Sequence, residues 1–188
     1  MSEPARKPAS YEDLFDIPEN MTGEIINGEL VVHPRPSRKH AYAASALGGE
    51  LTPAYQFGRG GGPGGWIILE EPEIGLGEHT IVPDFGGWKR ERFPVEEPHN
   101  WISVAPDWVC EIISPKTALL DRTVKKDIYA KHRVGHLWLI DPINMTLEVY
   151  RLGSDTWDSL GTFGGKDKVR TEPFSEIEID LSNFWLNG

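Results

Sequence analysis

PDWVCEIISPKTALLDRTVKKDIYAKHRVGHLWLIDP, residues 106–142, reads as strand, helix, strand. Asp107 to Ser114 is an apolar, β-rich run interrupted by one carboxylate, Glu111. Side chains alternate along a strand, so Trp108, Cys110 and Ile112 share one face and Val109, Glu111 and Ile113 the other. Both faces have the composition of a central strand in a covered sheet. An ionised carboxylate there is costly unless a metal, a cation or hydrogen-bond donors compensate it.

The residues after Glu111 supply a candidate partner. Ser114-Pro115 closes the strand, and Thr117 is placed to cap a helix running to about Arg133. Leu120, Val124 and Ile128 recur every four residues as its buried stripe. Asp121, Lys125, Tyr129 and His132 lie along one edge of that stripe. A strand feeding such a helix brings Lys125 back toward Glu111. The competing reading is a solvated helix lysine.

The 188 residues suit one domain with a sizeable core. Seven Trp, seven Phe and five Tyr mark a globular chain. A formal charge of −10 argues against a broad polyanion-binding surface, while leaving room for a local site in which metal ions neutralise charge. Cys110 is the single cysteine, which excludes an intrachain disulfide and a Cys-rich zinc site, and it reads as core packing. Residues 1–10 read as a polar tail without the apolar segment of a signal peptide, and no run reaches membrane-spanning length. The expectation is a cytoplasmic protein with no membrane partner, its single domain spanning residues 11–188.

Along the chain, Tyr11 to Phe15 reads as a short helix capped by Ser10. Asn27-Gly28 in GEIINGELVVHP is a hairpin signal. Ser37 to Phe57 reads as a helix with Ala41, Ala44, Ala46, Leu47 and Leu51 as apolar positions, weakened by Gly48-Gly49. Gly58 to Gly65 has the composition of a loop, since no Lys-Ser or Lys-Thr follows to make a phosphate cradle. Trp66 to Glu71 reads as a strand, and a second begins near Asp84 and runs into Lys89, Arg90 and Arg92. Those three side chains form a charged strand end or contact nucleic-acid backbone. Phe93 to Ala105 is a Pro-rich connection. After the central unit, residues 136–141, 145–151, 156–163 and 168–179 are short and β-like. Together these elements predict one α/β domain with a largely antiparallel, mixed sheet.

Phosphodiester hydrolysis needs a divalent cation held by carboxylates and benefits from a cation near the developing charge. Asp84 and Glu111 lie on successive predicted strands, with Lys125 on the next helix, and hard oxygen ligands suit Mg²⁺ or Mn²⁺. Asp107 competes with Asp84 for the first ligand position. It lies four residues from Glu111 on one strand, about 13 Å at 3.3 Å per residue, which is too far for one ion to bridge. Asp84 is therefore the choice, and Asp107 opens the strand.

PDW-VCEIISPKT, then Asp121, Arg122, Lys125 and Tyr129, then HLWLIDP, resemble the Uma-type restriction endonucleases of the PD-(D/E)XK nuclease superfamily. GEIINGEL, PRPSRKH ending at His40, and GGWIILEEPEIGLG before Val82-Pro83-Asp84 match the same family, so the resemblance covers roughly residues 11–184. It implies a restriction-endonuclease-like core of helix, three strands, helix and strand, with an N-terminal hairpin and extra C-terminal strands around a mixed sheet. It also implies Asp84 and Glu111 as metal-binding carboxylates, the Ile112 carbonyl as a further ligand, and DNA as substrate. The superfamily lysine, expected two residues after the glutamate, is replaced by Ile113, and the resemblance moves that role to Lys125, with Lys126 as rival. Glu24 resembles an acidic position that assists the metal, and a homodimer is implied by the dimeric nucleases of the superfamily. Tyr129 reads as a packing residue with its hydroxyl near the site, and His40 as a helix histidine that contacts it. Asp121 and Arg122 read as helix-start electrostatics and a surface or phosphate contact.

Two functional classes follow. One is a Mg²⁺-dependent DNA endonuclease using Asp84, Glu111 and Lys125. The other is a catalytically silent relative that binds nucleic acid or a protein partner.

Overall fold

Asn27 and Gly28 both adopt positive φ (53° and 74°), which is the two-residue turn that an Asn-Gly pair favours. The computed structural model describes residues 7–186. Of the polar tail expected over residues 1–10, residues 1–6 lie outside that range, and Ala9 N–H donates to the Gly28 carbonyl (2.8 Å). The turn joins β1 (Met21–Ile26) to β2 (Glu29–Pro34). These strands belong to a four-stranded antiparallel sheet of order β2-β1-β5-β4, with β4 at Ile74–Leu76 and β5 at His79–Ile81. Neither β4 nor β5 was expected from the sequence, because three-residue strands offer too little alternation to read. The N-terminal hairpin thus builds its own sheet instead of extending the main one.

The main sheet has six strands in the order β10-β9-β8-β7-β6-β3. Its strands are β3 (Trp66–Glu70), β6 (Phe85–Lys89), β7 (Trp108–Ile112), β8 (His136–Asp141), β9 (Thr146–Leu152) and β10 (Trp157–Gly164). Only β7 and β8 pair in parallel, because the helical crossover between them returns the chain in the same direction. Helix α1 (Arg38–Leu51), strands β3, β6 and β7, the crossover helix and β8 reproduce the expected helix–three strands–helix–strand order. Residues 168–179, read as one strand, form a separate hairpin of β11 (Lys168–Thr171) and β12 (Phe174–Asp180).

All five residues of β7 are buried, and their alternation divides the core. Trp108, Cys110 and Ile112 pack with Ala43, Leu47 and Leu51 of α1 and with Phe174 and Ile179 of β12. Val109 and Ile113 pack on the other side with Ile26, Ile74, Leu76, Ile81, Ile128 and Tyr129. Within α1, Ala43 is buried and Ala41 is exposed, the reverse of the expected assignment, while Leu47 and Leu51 hold as read. A Cβ at Gly48 would meet Glu70 Oε1, the end of an exposed flexible side chain, at 2.9 Å and otherwise make ordinary contact with the Phe85 ring.

The crossover helix is not uniform. It runs through α2 (Ala118–Leu120), a wide π turn (Asp121–Lys125) and α3 (Lys126–Lys131). Thr117 has helical backbone and its side chain does not cap the helix; Ser114 Oγ accepts the Thr117 N–H instead (3.3 Å). Leu120, Val124 and Ile128 pack on the second core cluster, as their four-residue spacing requires. Among the described residues no helix is long and apolar enough to cross a membrane.

Candidate active site

The register of β6 against β7 pairs Phe85 with Cys110, so extending it by one residue sets Asp84 opposite Glu111. The Ile112 N–H donates to Asp84 Oδ2 (2.6 Å), and His40 Nε2 lies 3.0 Å from Asp84 Oδ1. Two different elements therefore fix both carboxylate oxygens. Asp107 stands at the other end of β7, where it accepts the Lys89 N–H (2.8 Å) and pairs with Arg92, away from the cavity.

The crossover helix packs over the face of β7 that carries Glu111. Lys125 Nζ reaches Glu111 Oε1 at 2.7 Å, and the Tyr129 hydroxyl donates to the same oxygen. The π turn keeps Asp121 and Lys125 both buried, 3.9 Å apart. Glu24 arrives from β1. Its Oε1 accepts from Lys125 (2.9 Å) and from the Val82 N–H (2.8 Å), and its Oε2 lies 3.1 Å from His33 Nε2. Asp84, Glu111, Ile112, Lys125, Glu24 and His40 all line one cavity of about 480 Å³.

Other residues are used elsewhere. Lys126 lies over the Tyr150 ring (3.4 Å to its centroid), so the structure brings Lys125 and not Lys126 to Glu111. Arg122 pairs with Glu148 (2.6 Å). Lys89 stacks on Trp66, Arg90 donates to the carbonyls of Gln56 and Trp66, and Arg92 holds Asp107. This cluster sits five residues from Asp84 along β6, roughly 16 Å away, and its charges are already engaged. His33 was missed in the sequence, although the hairpin register pairs Glu24 with Val31 and leaves His33 as its diagonal neighbour on the same face.

Burial drives the electrostatics. It pushes the Glu111 carboxyl well above the usual carboxylate range; Lys125 opposes this, while Asp121, Asp84 and Glu24 add to it. Burial and the neighbouring acids also raise Asp121, against Lys125. Burial alone would raise Glu24, but Lys125, His33 and the Val82 N–H together hold it down to about 2. Lys125 loses solvation, yet Glu111, Glu24 and Asp121 keep it firmly protonated, with its pKa raised. Burial lowers His40, and the Asp84 contact outweighs it, raising the pKa overall.

The cavity thus brings together five carboxylates, Glu24, Glu71, Asp84, Glu111 and Asp121, with Lys125 as the one buried lysine among them and Lys116 and Arg35 also in its lining. That donor chemistry fits a hard divalent cation. Among the described residues no three His, Cys, Asp or Glu side chains converge as a ready-made cage. An ion of the Mg²⁺ type needs none, because it keeps several waters and takes one or two carboxylates plus substrate oxygens. Glu111 Oε2 accepts no hydrogen bond among the described residues and is available as such a donor.

Tyr129→Phe removes one of two donors to a buried carboxylate oxygen and leaves the ring in place. The expected result is a loss of about 1 kcal/mol in urea-unfolding stability, with the lysine contact intact. An unchanged unfolding midpoint would show that the Tyr129 hydroxyl contributes nothing to holding Glu111.

A family model, Uma2, described as "Putative restriction endonuclease", matches residues 8–182. Among solved structures, the chain is similar to a "putative nuclease belonging to DUF820" from Anabaena variabilis, at 26% identity and a TM-score of 0.76. That match covers 95% of this chain and 98% of the other. No curated protein matches.

Proposed function

The chain belongs to the Uma2 family of restriction-endonuclease relatives, and from that premise we propose that it is a metal-dependent endonuclease hydrolysing DNA phosphodiester bonds. The observation that carries this reading is the single cavity in which Asp84 and Glu111 stand side by side with Lys125 against Glu111. The family match and the structural neighbour support a nuclease. DNA, Mg²⁺ or Mn²⁺, and the residue roles are our assignment.

In this reading Asp84, Glu111 and the Ile112 carbonyl hold the cation. When bound, it polarises the phosphate and lowers the pKa of an attacking water. Asp84 is presented in a fixed orientation by His40 and the Ile112 amide. Lys125 opposes the effect of burial on Glu111 and supplies positive charge beside the position where charge develops on the phosphate. Glu24, itself anchored by His33 and Val82, holds the lysine in place.

One observation favours the silent alternative: Lys125 is engaged by Glu24, Glu111 and Asp121 at once, which would suit a purely structural ion network in a binding protein. Cleavage of supercoiled, linear and single-stranded DNA with Mg²⁺ or Mn²⁺ separates the two readings. Metal-dependent cleavage, abolished by chelator and reduced about 10³-fold in Asp84→Asn, is expected for the enzyme. A wild type that cleaves none of these substrates, and for which calorimetry detects no Mn²⁺ binding, leaves the silent relative.

A further inference from the structure

Sheet edges present unpaired N–H and C=O groups, and folded proteins blunt them. Most edges here show how. Strand β4 is closed by Ile102, which exchanges hydrogen bonds with Glu73 and Gly75. On β3, the Ile68 N–H is taken by Gln56 Oε1 (2.9 Å). Strand β10 is bent by a bulge between Ser159 and Gly161. The β11–β12 hairpin carries Lys168, Arg170, Glu176 and Glu178.

Strand β2 is different. Among the described residues it pairs only with β1, and Leu30 and Val32 remain 39% and 36% exposed. The Asn27-Gly28 turn makes Ile26 and Glu29 a hydrogen-bonded pair, so Glu29, Val31 and His33 bond inward to β1. Leu30 and Val32 therefore direct their backbone groups outward. No lysine or bulge protects them among the described residues, and Pro34 marks the end of the run.

We propose that this edge is closed by β2 of a second copy of the chain, antiparallel, with the two-fold axis at Val31. In that register Leu30 of each copy exchanges two hydrogen bonds with Val32 of the other, and Val31 faces Val31 as a non-hydrogen-bonded pair. Glu29 of one copy stands opposite His33 of the other, so a hydrogen-bond-accepting carboxylate faces an imidazole ring rather than a like charge. Centring the pairing on Val32 or His33 would put Pro34, which lacks an N–H, into the ladder. The result is one eight-stranded sheet, four strands from each copy. Through His33 this interface adjoins the candidate active site, since that residue also contacts Glu24.

The test uses the full chain and reads mass, independently of any cleavage activity. Sedimentation velocity at tens of micromolar should give twice 21.1 kDa. Leu30→Lys combined with Val32→Lys places charges on an exposed edge without touching the β1 ladder. The double variant should sediment as a monomer and melt where the wild type melts at concentrations low enough to dissociate its dimer. Val31→Cys should form an interchain disulfide under mild oxidation, because the natural Cys110 is buried and the non-hydrogen-bonded pair brings the two sulfurs together. A wild-type monomer, or a dimer whose mass survives the double lysine variant, would overturn the proposal.

Discussion

Glu111→Gln should reduce metal-dependent cleavage by about 10³-fold and at the same time make the folded protein harder to unfold at neutral pH. Both effects follow from one fact. The wild-type carboxyl is buried among Asp121, Asp84 and Glu24, and its pKa is pushed well above the usual range despite Lys125. At pH 7–8 the folded state must either ionise it unfavourably or bind a proton. A glutamine of the same shape removes that burden while still offering an oxygen to Tyr129 and Lys125, so stability should rise by about 1 kcal/mol in metal-free buffer.

The pH dependence identifies the cause. A carboxyl whose folded pKa is raised contributes stability that appears as pH falls through the folded pKa and is complete below the unfolded value near 4.5. Glu24 has the opposite sign. Its pKa, held at about 2, contributes stability present above 4.5 and lost as pH falls toward 2. Wild-type stability in chelator should therefore climb from neutral pH toward mild acid and then fall. Urea titrations across this range should show the climb flattened in Glu111→Gln and the acid fall unchanged. A variant less stable than wild type at every pH would show that ionised Glu111 is a net stabiliser of the fold.

Much of this site could be read from the chain because the strand–helix–strand unit is local. The alternation of residues 108–113 separates two core faces and leaves Glu111 conspicuous, and the four-residue stripe of the helix brings Lys125 back over it. The rejection of Asp107 needed only the rise per residue. What escaped was set by pairing between distant segments or by backbone irregularity without a signal. Strands β4 and β5 exist because Ile74, Leu76 and Ile81 bury against the helix side of the main sheet. The π turn falls in DRTVK, which contains neither Pro nor Gly, and only burial of both Asp121 and Lys125 reveals its use. Glu24 was noticed through resemblance alone. Its anchoring by His33 depends on hairpin register, and that by Val82 on a contact 58 residues away.

Lys125→Met should be the most damaging change to the fold. The ammonium is buried, and it is the only cation of the described residues in contact with Glu24, Glu111 and Asp121 together. Replacing it with an apolar chain of similar length removes little packing but strands three buried carboxylates, an imbalance that costs about 3–5 kcal/mol. For a chain of this size that corresponds to roughly 6–20 °C in melting temperature. The loss should shrink as pH falls, because Glu111 and Asp121 can then take up protons in the folded state. It should also shrink when Mn²⁺ is added, since a cation bound to the folded state restores the missing charge, and the metal-induced gain should exceed that of wild type. Lys125→Arg isolates the charge from its placement. The guanidinium keeps the positive sign and should recover most of the stability, but its planar fork cannot put one donor where the ammonium stands, so cleavage should stay low. Equal melting temperatures for wild type and Lys125→Met, with or without metal, would mean that the carboxylates around Lys125 are protonated at neutral pH and that this cavity does not hold the charges assigned to it.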